Sequence, residues 1–167
     1  MQDSLDSKDL LLLEVLQESG RMKRNELAER VGLSLPAVSE RLRKLEQRGV
    51  IAGYCAVVAH KALGLDLTAF IRVFVDGSSF YAGFVEQALA LDEVLECHSI
   101  TGEGSHLLKI RTLNTASLEK LLSTIQAWPG VKRTDTSIVL TTFKETRAVP
   151  IGQSPTARDK TREKTGV

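Results

Sequence analysis

Between Ser34 and Arg48 the chain reads SLPAVSERLRKLEQR, and both its apolar and its charged residues recur at helical spacing. Val38, Leu42 and Leu45 stand at i, i+4 and i+7 and must face inward. The face left over carries Ser39, Glu40, Arg41, Arg43, Lys44 and Arg48. Guanidinium and ammonium groups in that arrangement suit phosphate binding, and hydroxyl, carboxylate and guanidinium groups suit the polar edges of bases. The charge distribution agrees. From Arg21 to Arg48 eight Lys/Arg stand against four Glu, a balance of +4, whereas Ile51 to Phe143 carries seven bases and nine acids, a balance of −2. Positive charge is concentrated on one short segment, as a nucleic-acid reader requires. The plainer reading of the same face is a solvated surface on an ordinary helical protein, which the local charge excess disfavours.

The elements that must position this face can be read outward from it. Leu27 and Val31 lie four apart on a preceding helix, with small Ala28 beside them where another helix can approach. Gly32 supplies the turn, Ser34 stands at an N-cap position, and Pro36 falls in the first turn of the second helix. Gly49 stops that helix. Upstream, Asp6 can cap a first helix with Asp9 at the capping-box position, and Leu5 can staple against Leu10. Leu12, Leu13 and Leu16 continue its stripe to Gly20. Lys23 occupies the cap position of the second helix, where Ser or Thr would be better by about 1 kcal/mol. Three helices followed by an apolar stretch at Val50–Val58, read as a strand, make a winged helix-turn-helix.

His60–Gly64 reads as a joint, and the pattern then changes. A strand at Leu67–Val75 has Leu67, Ala69, Ile71, Val73 and Val75 on one face and Thr68, Phe70, Arg72 and Phe74 on the other, so both faces should meet protein. A helix follows from about Ser79 to Ala90, with Phe80, Phe84 and Ala88 on one face beside Val85 and Leu89. Strands at Val94–Thr101 and Ser105–Thr112 are joined by Gly102-Glu103-Gly104. A second helix carries Leu118, Leu121, Leu122 and Ile125 and stops at Trp128-Pro129-Gly130, before a last strand at Val131–Phe143. The order βαββαβ predicts an α+β chain whose second part is a ferredoxin-like sandwich. The expected divisions are 1–59 for the reader, 60–66 for a linker, 67–143 for the second domain and 144–167 for a disordered tail. A sheet with helices on one face leaves Phe70 and Phe74 bare on the other, which predicts a homodimer over that face. A dimer also suits paired reading helices on a palindromic site.

Composition excludes several classes. The chain has 167 residues, 43% hydrophobic and 26% charged, with a net charge of +1, typical of a globular protein of one domain or two small ones. Its two cysteines, Cys55 and Cys97, form no CxxC and have no nearby histidine pair, so neither a disulfide framework, a metal site nor a bound cofactor is expected. No apolar run is long enough to span a bilayer and the first residues do not form a signal peptide, so a cytoplasmic location is expected. No Ser/His/Asp set, carboxylate pair or phosphate loop appears, so no catalytic residue is assigned.

The segments LDSKDLLLLEVLQESGR, ELAERVGLSLPAVSERLRKLEQRGVIAGY, VLECHSITGE and PGVKRTDTSIVL closely resemble the Lrp/AsnC (feast/famine) transcriptional regulators, in order and with matching spacing from Leu5 to Phe143. The resemblance implies a winged helix-turn-helix that binds double-stranded DNA, joined to a domain that senses a small molecule, commonly an amino acid. It implies dimers through the sheets and often octamers. Matched to the family's reading helix, Ser34 would contact a phosphate, and Pro36, Ala37, Ser39, Glu40, Arg43 and Lys44 would approach base edges or phosphates. Arg41 would be either a backbone clamp or the partner of a nearby Glu. The effector site would involve Gly102, Glu103, Gly104, Ser105 and His106, with Thr134, Thr136 and Ser137 lining the same cleft. Glu103 matches an acidic position of the family turn, but Ser105 stands where a second Asp would be, which leaves an ammonium group without one carboxylate partner. Two other classes fit parts of the pattern. One is an architectural DNA-binding protein without an effector. The other is a tetrapyrrole-handling enzyme similar to the sirohaem decarboxylases, in which His98 and His106 would matter.

Overall fold

The computed structural model describes residues 4–151. They form two compact units. One holds the residues up to Val57 together with the described part of the segment that begins at Glu145, and the other runs Val58–Lys144.

The first unit contains α1 (Ser7–Glu18), α2 (Arg24–Val31) and α3 (Leu35–Gln47). Helix α1 begins where the capping box predicts. The Asp6 carboxylate accepts from the Lys8 and Asp9 N–H groups at 2.8 and 2.9 Å, and Asp9 accepts from the Asp6 N–H at 3.1 Å. Lys23 is the N-cap of α2 and its side chain makes no capping bond. Gly32 closes α2 at φ +68°, a conformation that L side chains rarely adopt. The core is Leu12, Val15, Leu27, Ala28, Val31, Val38 and Leu42, with Leu45 also buried. In α1 the deeply buried pair is Leu12 and Val15, while Leu13 and Leu16 sit at the rim and are half-buried.

The segment Val50–Val58, expected as a strand, contains none. Ile51 packs against the helical core, but no ladder hydrogen bond joins the following residues to another segment among those described. Val57 is 97% exposed. Its composition favours extended backbone, yet a strand exists only with a partner to receive its N–H and C=O groups.

The second unit is a four-stranded sheet of β1 (Leu67–Val75), β2 (Val94–Ser99), β3 (His106–Thr112) and β4 (Val131–Ile138), carrying α4 (Tyr81–Leu89) and α5 (Thr115–Gln126). The strand order is β2-β3-β1-β4 and every neighbouring pair is antiparallel, which is the ferredoxin-like arrangement. The inner residues of β1 (Leu67, Ala69, Ile71, Val73 and Val75) pack with Phe84, Ala88, Leu108, Ile110, Leu118, Leu121, Ile125 and Trp128. Asn114 and Ser117 cap α5 reciprocally, each side chain accepting from the other's N–H at 3.0 Å.

Three boundaries differ from the sequence reading. Phe80 lies in a 3-10 turn ahead of α4 and does not join its buried stripe. Its ring rests on Gly130, where an added Cβ would fall 2.4 Å from the ring. Leu89, at the other end, is 73% exposed. Strand β4 ends at Ile138 rather than Phe143, because β1 ends as its partner: Ala69 pairs with Ile138 and the last bond runs from the Val139 N–H to the Thr68 carbonyl at 2.9 Å. The residues between β2 and β3 form a loop from 100 to 105, in which Gly102 and Gly104 take φ +90° and +83°. The tail also departs from expectation. Within its described part, Val149 is held by Gln17, whose amide accepts from the Val149 N–H at 2.6 Å and donates to the Val149 carbonyl at 3.1 Å. Residues 152–167 of the expected tail lie outside the described residues.

Candidate functional site

The reading face of α3 is positioned by its opposite side. Val38, Leu42 and Leu45 are driven into the helical core by burial worth roughly 1.5–3 kcal/mol for each such side chain. The turn that aims the helix is closed by the Leu33 N–H to Ala28 carbonyl bond at 3.0 Å, and Lys8 Nζ donates to the Val31 carbonyl at the C-terminus of α2. Ser34 is the N-cap of α3, its Oγ accepting from the Ala37 N–H at a long 3.4 Å, with Pro36 in the first turn.

Arg41 has a partner that sequence spacing does not reveal. Its Nη1 lies 2.7 Å from Asp6 Oδ2 and 2.7 Å from Asp9 Oδ1, so the two carboxylates that cap α1 also grip α3. The sequence leaves Arg41 as either a backbone clamp or the partner of a nearby Glu; in the structure the acidic partner is this aspartate pair, 35 and 32 residues away in sequence. Burial disfavours ionised Asp6, but the Asp9 N–H and the Arg41 guanidinium outweigh it and hold its carboxyl below the ordinary range.

The other polar residues of α3 form a surface ladder. Arg43 meets Glu40 through both arms of its fork, Nη2–Oε1 at 2.6 Å and Nε–Oε2 at 2.8 Å, and donates from Nη1 to Gln47 Oε1 at 2.7 Å. Lys44 lies 3.7 Å from Glu40. The hydrogen bonds and charge of Arg43 pull the Glu40 carboxyl below its usual range. Of the sequence-assigned set, Ser34, Pro36, Glu40, Arg43 and Lys44 are exposed, while Ala37, Ser39 and Arg41 are half-buried. A shallow groove of about 480 Å³ beside them is lined by Arg24, Pro36, Ser39, Glu40, Arg43 and Glu46. Sequence reasoning omitted Arg24, whose Nη1 reaches Ser39 Oγ at 3.4 Å, and Gln47. Gln47 stood at i+4 from Arg43 and could have been found by spacing. Tyr54 was also missed. Its hydroxyl donates to Glu46 at 2.9 Å, and burial together with that carboxylate pushes it up to about 12.

In the second unit, Gly102, Glu103, Gly104, Ser105 and His106 fall on one loop and the strand start that follows it. Glu103 is exposed, whereas Ser105 and His106 are buried. Ser105 Oγ donates to the Val73 carbonyl at 3.1 Å and accepts from the Val75 N–H at 3.1 Å, bridging the register shift of β1 after Phe74. His106 Nδ1 lies 2.9 Å from the same Oγ. The Val73 carbonyl also accepts from the Ser105 N–H at 2.9 Å, so backbone and side chain of Ser105 both hold it. The imidazole packs on Tyr81 and Phe84, ring centroids 4.9 and 4.6 Å away, and burial pulls its pKa down, favouring the neutral ring. Thr134 and Thr136 pair in register with Val73 and Ile71, and Thr134 Oγ1 accepts from Gln126 at 2.8 Å. Ser137 pairs with Phe70 and so faces the other side of the sheet. Ser137 is therefore not brought together with Thr134 and Thr136.

His98 pairs in register with Leu107 and His106 with Ser99, so the two histidines point to opposite faces of the sheet and cannot ligate one group. Among the described residues no cluster of three His, Cys, Asp or Glu could hold a metal ion, and no helix is long and apolar enough to cross a membrane.

Residues 5–52 match the family of winged helix-turn-helix DNA-binding domains, and residues 68–149 match the Lrp/AsnC ligand binding domain. The chain is 36% identical over 151 residues to the transcriptional regulator FL11 of Pyrococcus abyssi, covering 90% of this chain and 99% of that protein. It is 37% identical over 147 residues to the regulator LrpA of Mycobacterium tuberculosis, covering 88% and 97%. Among solved structures it is similar to a transcriptional regulator from Neisseria meningitidis in complex with L-Met. That match has a TM-score of 0.85 and 34% identity, and covers 89% of this chain and 97% of that one.

The Arg41 clamp carries a pH signature. Because the Asp6 pKa is depressed in the folded state, the stability it contributes is present above the ordinary carboxylate range and is lost as pH falls through the lowered value. Arg41→Ala is expected to cost about 1–2 kcal/mol at neutral pH, with the difference from wild type shrinking in acid as the pH falls through the lowered Asp6 value. Chemical denaturation followed by helical circular dichroism measures this, and an equal loss at both pH values would remove the clamp from the account.

Proposed function

This chain belongs to the Lrp/AsnC family of helix-turn-helix transcriptional regulators, and from that premise we propose that α3 reads double-stranded DNA as part of a homodimer whose second domain responds to an amino-acid-like molecule. The observation that carries the reading is the division of α3 into two faces. One is locked into the helical core by three buried apolar residues and by Arg41, and the other presents Glu40, Arg43, Lys44 and Gln47 to solvent. A helix fixed on one side and polar on the other can enter a major groove without reorganising. Ser34 would place its helix start at a phosphate, and Pro36, Ala37 and Ser39 would lie against the groove wall. Arg41 is assigned to holding the helix rather than to a DNA contact. The reader would comprise residues 1–59, joined by 60–66 to a sensing domain at 67–143.

The homodimer rests on the bare face of the sheet. Phe70 is 37% exposed there, and Phe74 lies beneath the Arg133 guanidinium, 4.0 Å from the ring centroid. An apolar centre with a charged surround fits a second copy of the same surface, and further association to an octamer would build on that dimer.

The effector reading draws on the relatives. One similar structure holds L-Met, and one relative, from Haemophilus influenzae, is a leucine-responsive regulatory protein, 35% identical over 146 residues and covering 86% of this chain and 88% of that one. In this chain Gly102 and Glu103 form the exposed part of the proposed effector site and Gly104 is half-buried beside them, with Ser105 and His106 fixing the loop from below. Because Ser105 is engaged with the backbone of β1, a DNA-binding role without an effector is the second reading.

Three measurements bear on these assignments. Replacing Arg43 and Lys44 together with Ala should weaken binding to an operator and flatten the log–log salt dependence by about 1–2 units; an unaltered affinity and slope would contradict the reader assignment. Phe70→Glu should reduce the mass measured by light scattering to that of a smaller assembly, and retention of the wild-type mass would place the interface elsewhere. A panel of free amino acids should contain one that raises the thermal midpoint, since a ligand at 100 times its Kd adds about 2.7 kcal/mol. A flat response across the panel favours the second reading.

A further inference from the structure

The geometry points to Glu40 and Arg43 as the pair that sets base sequence. Glu40 would accept a hydrogen bond from the N4 amino group of a cytosine, and Arg43 would donate to O6 and N7 of a guanine, in the same or neighbouring base pairs. This rests on the DNA-binding reading above and adds to it a specific base preference.

The argument begins with a carboxylate in an unfavourable place. Glu40 is exposed at the centre of the cationic face of α3, one turn into the helix. As that face approaches phosphates, a negative charge there is repelled. Its intrahelical pairs with Arg43 and Lys44 are exposed, of a kind worth only about 0.2–0.5 kcal/mol each. So small a gain does not offset the repulsion, and the carboxylate must gain more from the groove itself. An ionised carboxylate only accepts hydrogen bonds. The major-groove edges offer it two donors, cytosine N4 and adenine N6, and beside adenine N6 lies the acceptor N7, which a carboxylate cannot satisfy. Cytosine is the base it suits.

Arg43 completes the pair. Its fork is held along the helix face between Glu40 and Gln47, with three contacts of 2.6 to 2.8 Å. That leaves the planar group extended and oriented before DNA arrives, and the guanine O6 and N7 acceptors match its geometry. Three residues of helix advance about 4.5 Å along the axis, against a base-pair step of about 3.4 Å. Two side chains that touch in the free protein therefore reach bases no more than about one step apart. Within this pair the charges of Glu40 and Arg43 balance, leaving Lys44 to meet the backbone.

The test is selection of binding sites from a randomised duplex library by the full chain, run in parallel for wild type, Glu40→Gln, Glu40→Ala and Arg43→Ala. Glu40 and Arg43 lie on the surface, and a thermal melt of each variant verifies the fold. Wild-type sites are expected to carry a fixed cytosine and a guanine on the same or the next base pair. Glu40→Gln should move the cytosine position to adenine, because an amide both donates and accepts. Glu40→Ala should abolish discrimination at that position, a loss of about tenfold or more, while binding to unrelated DNA is kept or strengthened. Arg43→Ala should erase the guanine. If both Glu40 variants select the wild-type sites with unchanged preference, Glu40 is only an ion-pair partner and the inference is overturned, with the DNA-binding reading intact. If wild type binds no duplex at all, it is the earlier reading that falls.

Discussion

One guanidinium ties the DNA-binding unit together. Arg41 reaches from α3 to the two carboxylates that begin α1, and those carboxylates are already occupied in closing the first turn of their own helix. Each part of the arrangement strengthens the other. The exposed N–H groups of α1 and the cation of α3 both favour ionised Asp6, so the cap and the clamp share one charge state. The apolar core beneath fixes which side of α3 faces inward but is permissive about rotation by a few degrees, since aliphatic contacts are not directional. A charge-assisted contact at 2.7 Å on both aspartates is directional. It sets the azimuth of α3, and with it the direction in which Glu40, Arg43 and Lys44 project.

The second unit is organised around β1. That strand is one of the two central strands, its inner residues supply five members of the core, and both of its edges meet strands of opposite direction. Where its pairing with β4 slips after Phe74, the strand would leave Val75 without a regular partner for its N–H. Ser105 fills that gap from the neighbouring loop, and its hydroxyl also satisfies the buried ring of His106. Gly104 permits the approach. An added Cβ there would meet Arg72 Cγ at 2.6 Å and the Val73 carbonyl at 3.2 Å, on a backbone already at φ +83°. The loop that carries Glu103 is therefore anchored at its base by a serine and a glycine that have structural reasons to be what they are.

What was legible in the sequence was whatever depends on residues close together in the chain. Asp6 with Asp9, Ser34 with Pro36, the φ of Gly32 and the stripe of Val38, Leu42 and Leu45 are all local statements, and the order of strands and helices in the second unit follows from periods of 2 and 3.6. The departures are non-local. Arg41 finds a partner more than thirty residues away, which no helical spacing encodes. Strand β4 stops where β1 ceases to offer backbone groups, although apolar residues continue to Phe143. Val50–Val58 has the composition of a strand and lacks a neighbour to pair with. Gln17 holds Val149 because an amide side chain imitates a peptide group, and a glutamine on a helix surface gives no sign of that in advance. The candidate effector residues were legible as a loop, but their burial was not: alternation predicts which face of a strand His106 occupies, and only the packing of Tyr81 and Phe84 shows that this face is closed over it.

Ser105 illustrates how far one position can decide what a site is able to recognise. The hydroxyl there has one hydrogen to give and two lone pairs, and its surroundings offer the Val73 carbonyl as an acceptor, the Val75 N–H as a donor and the His106 Nδ1, which takes either role. The match is complete. A carboxylate in its place would set two acceptors against each other at Val73, in a spot where water has little access, and would lose the only bond that this carbonyl receives from the side chain. On the same loop the Glu103 carboxylate is exposed, and Gly102 and Gly104 flank it at φ +90° and +83°, so the hydroxyl of Ser105 works inward while the charge of the loop faces out.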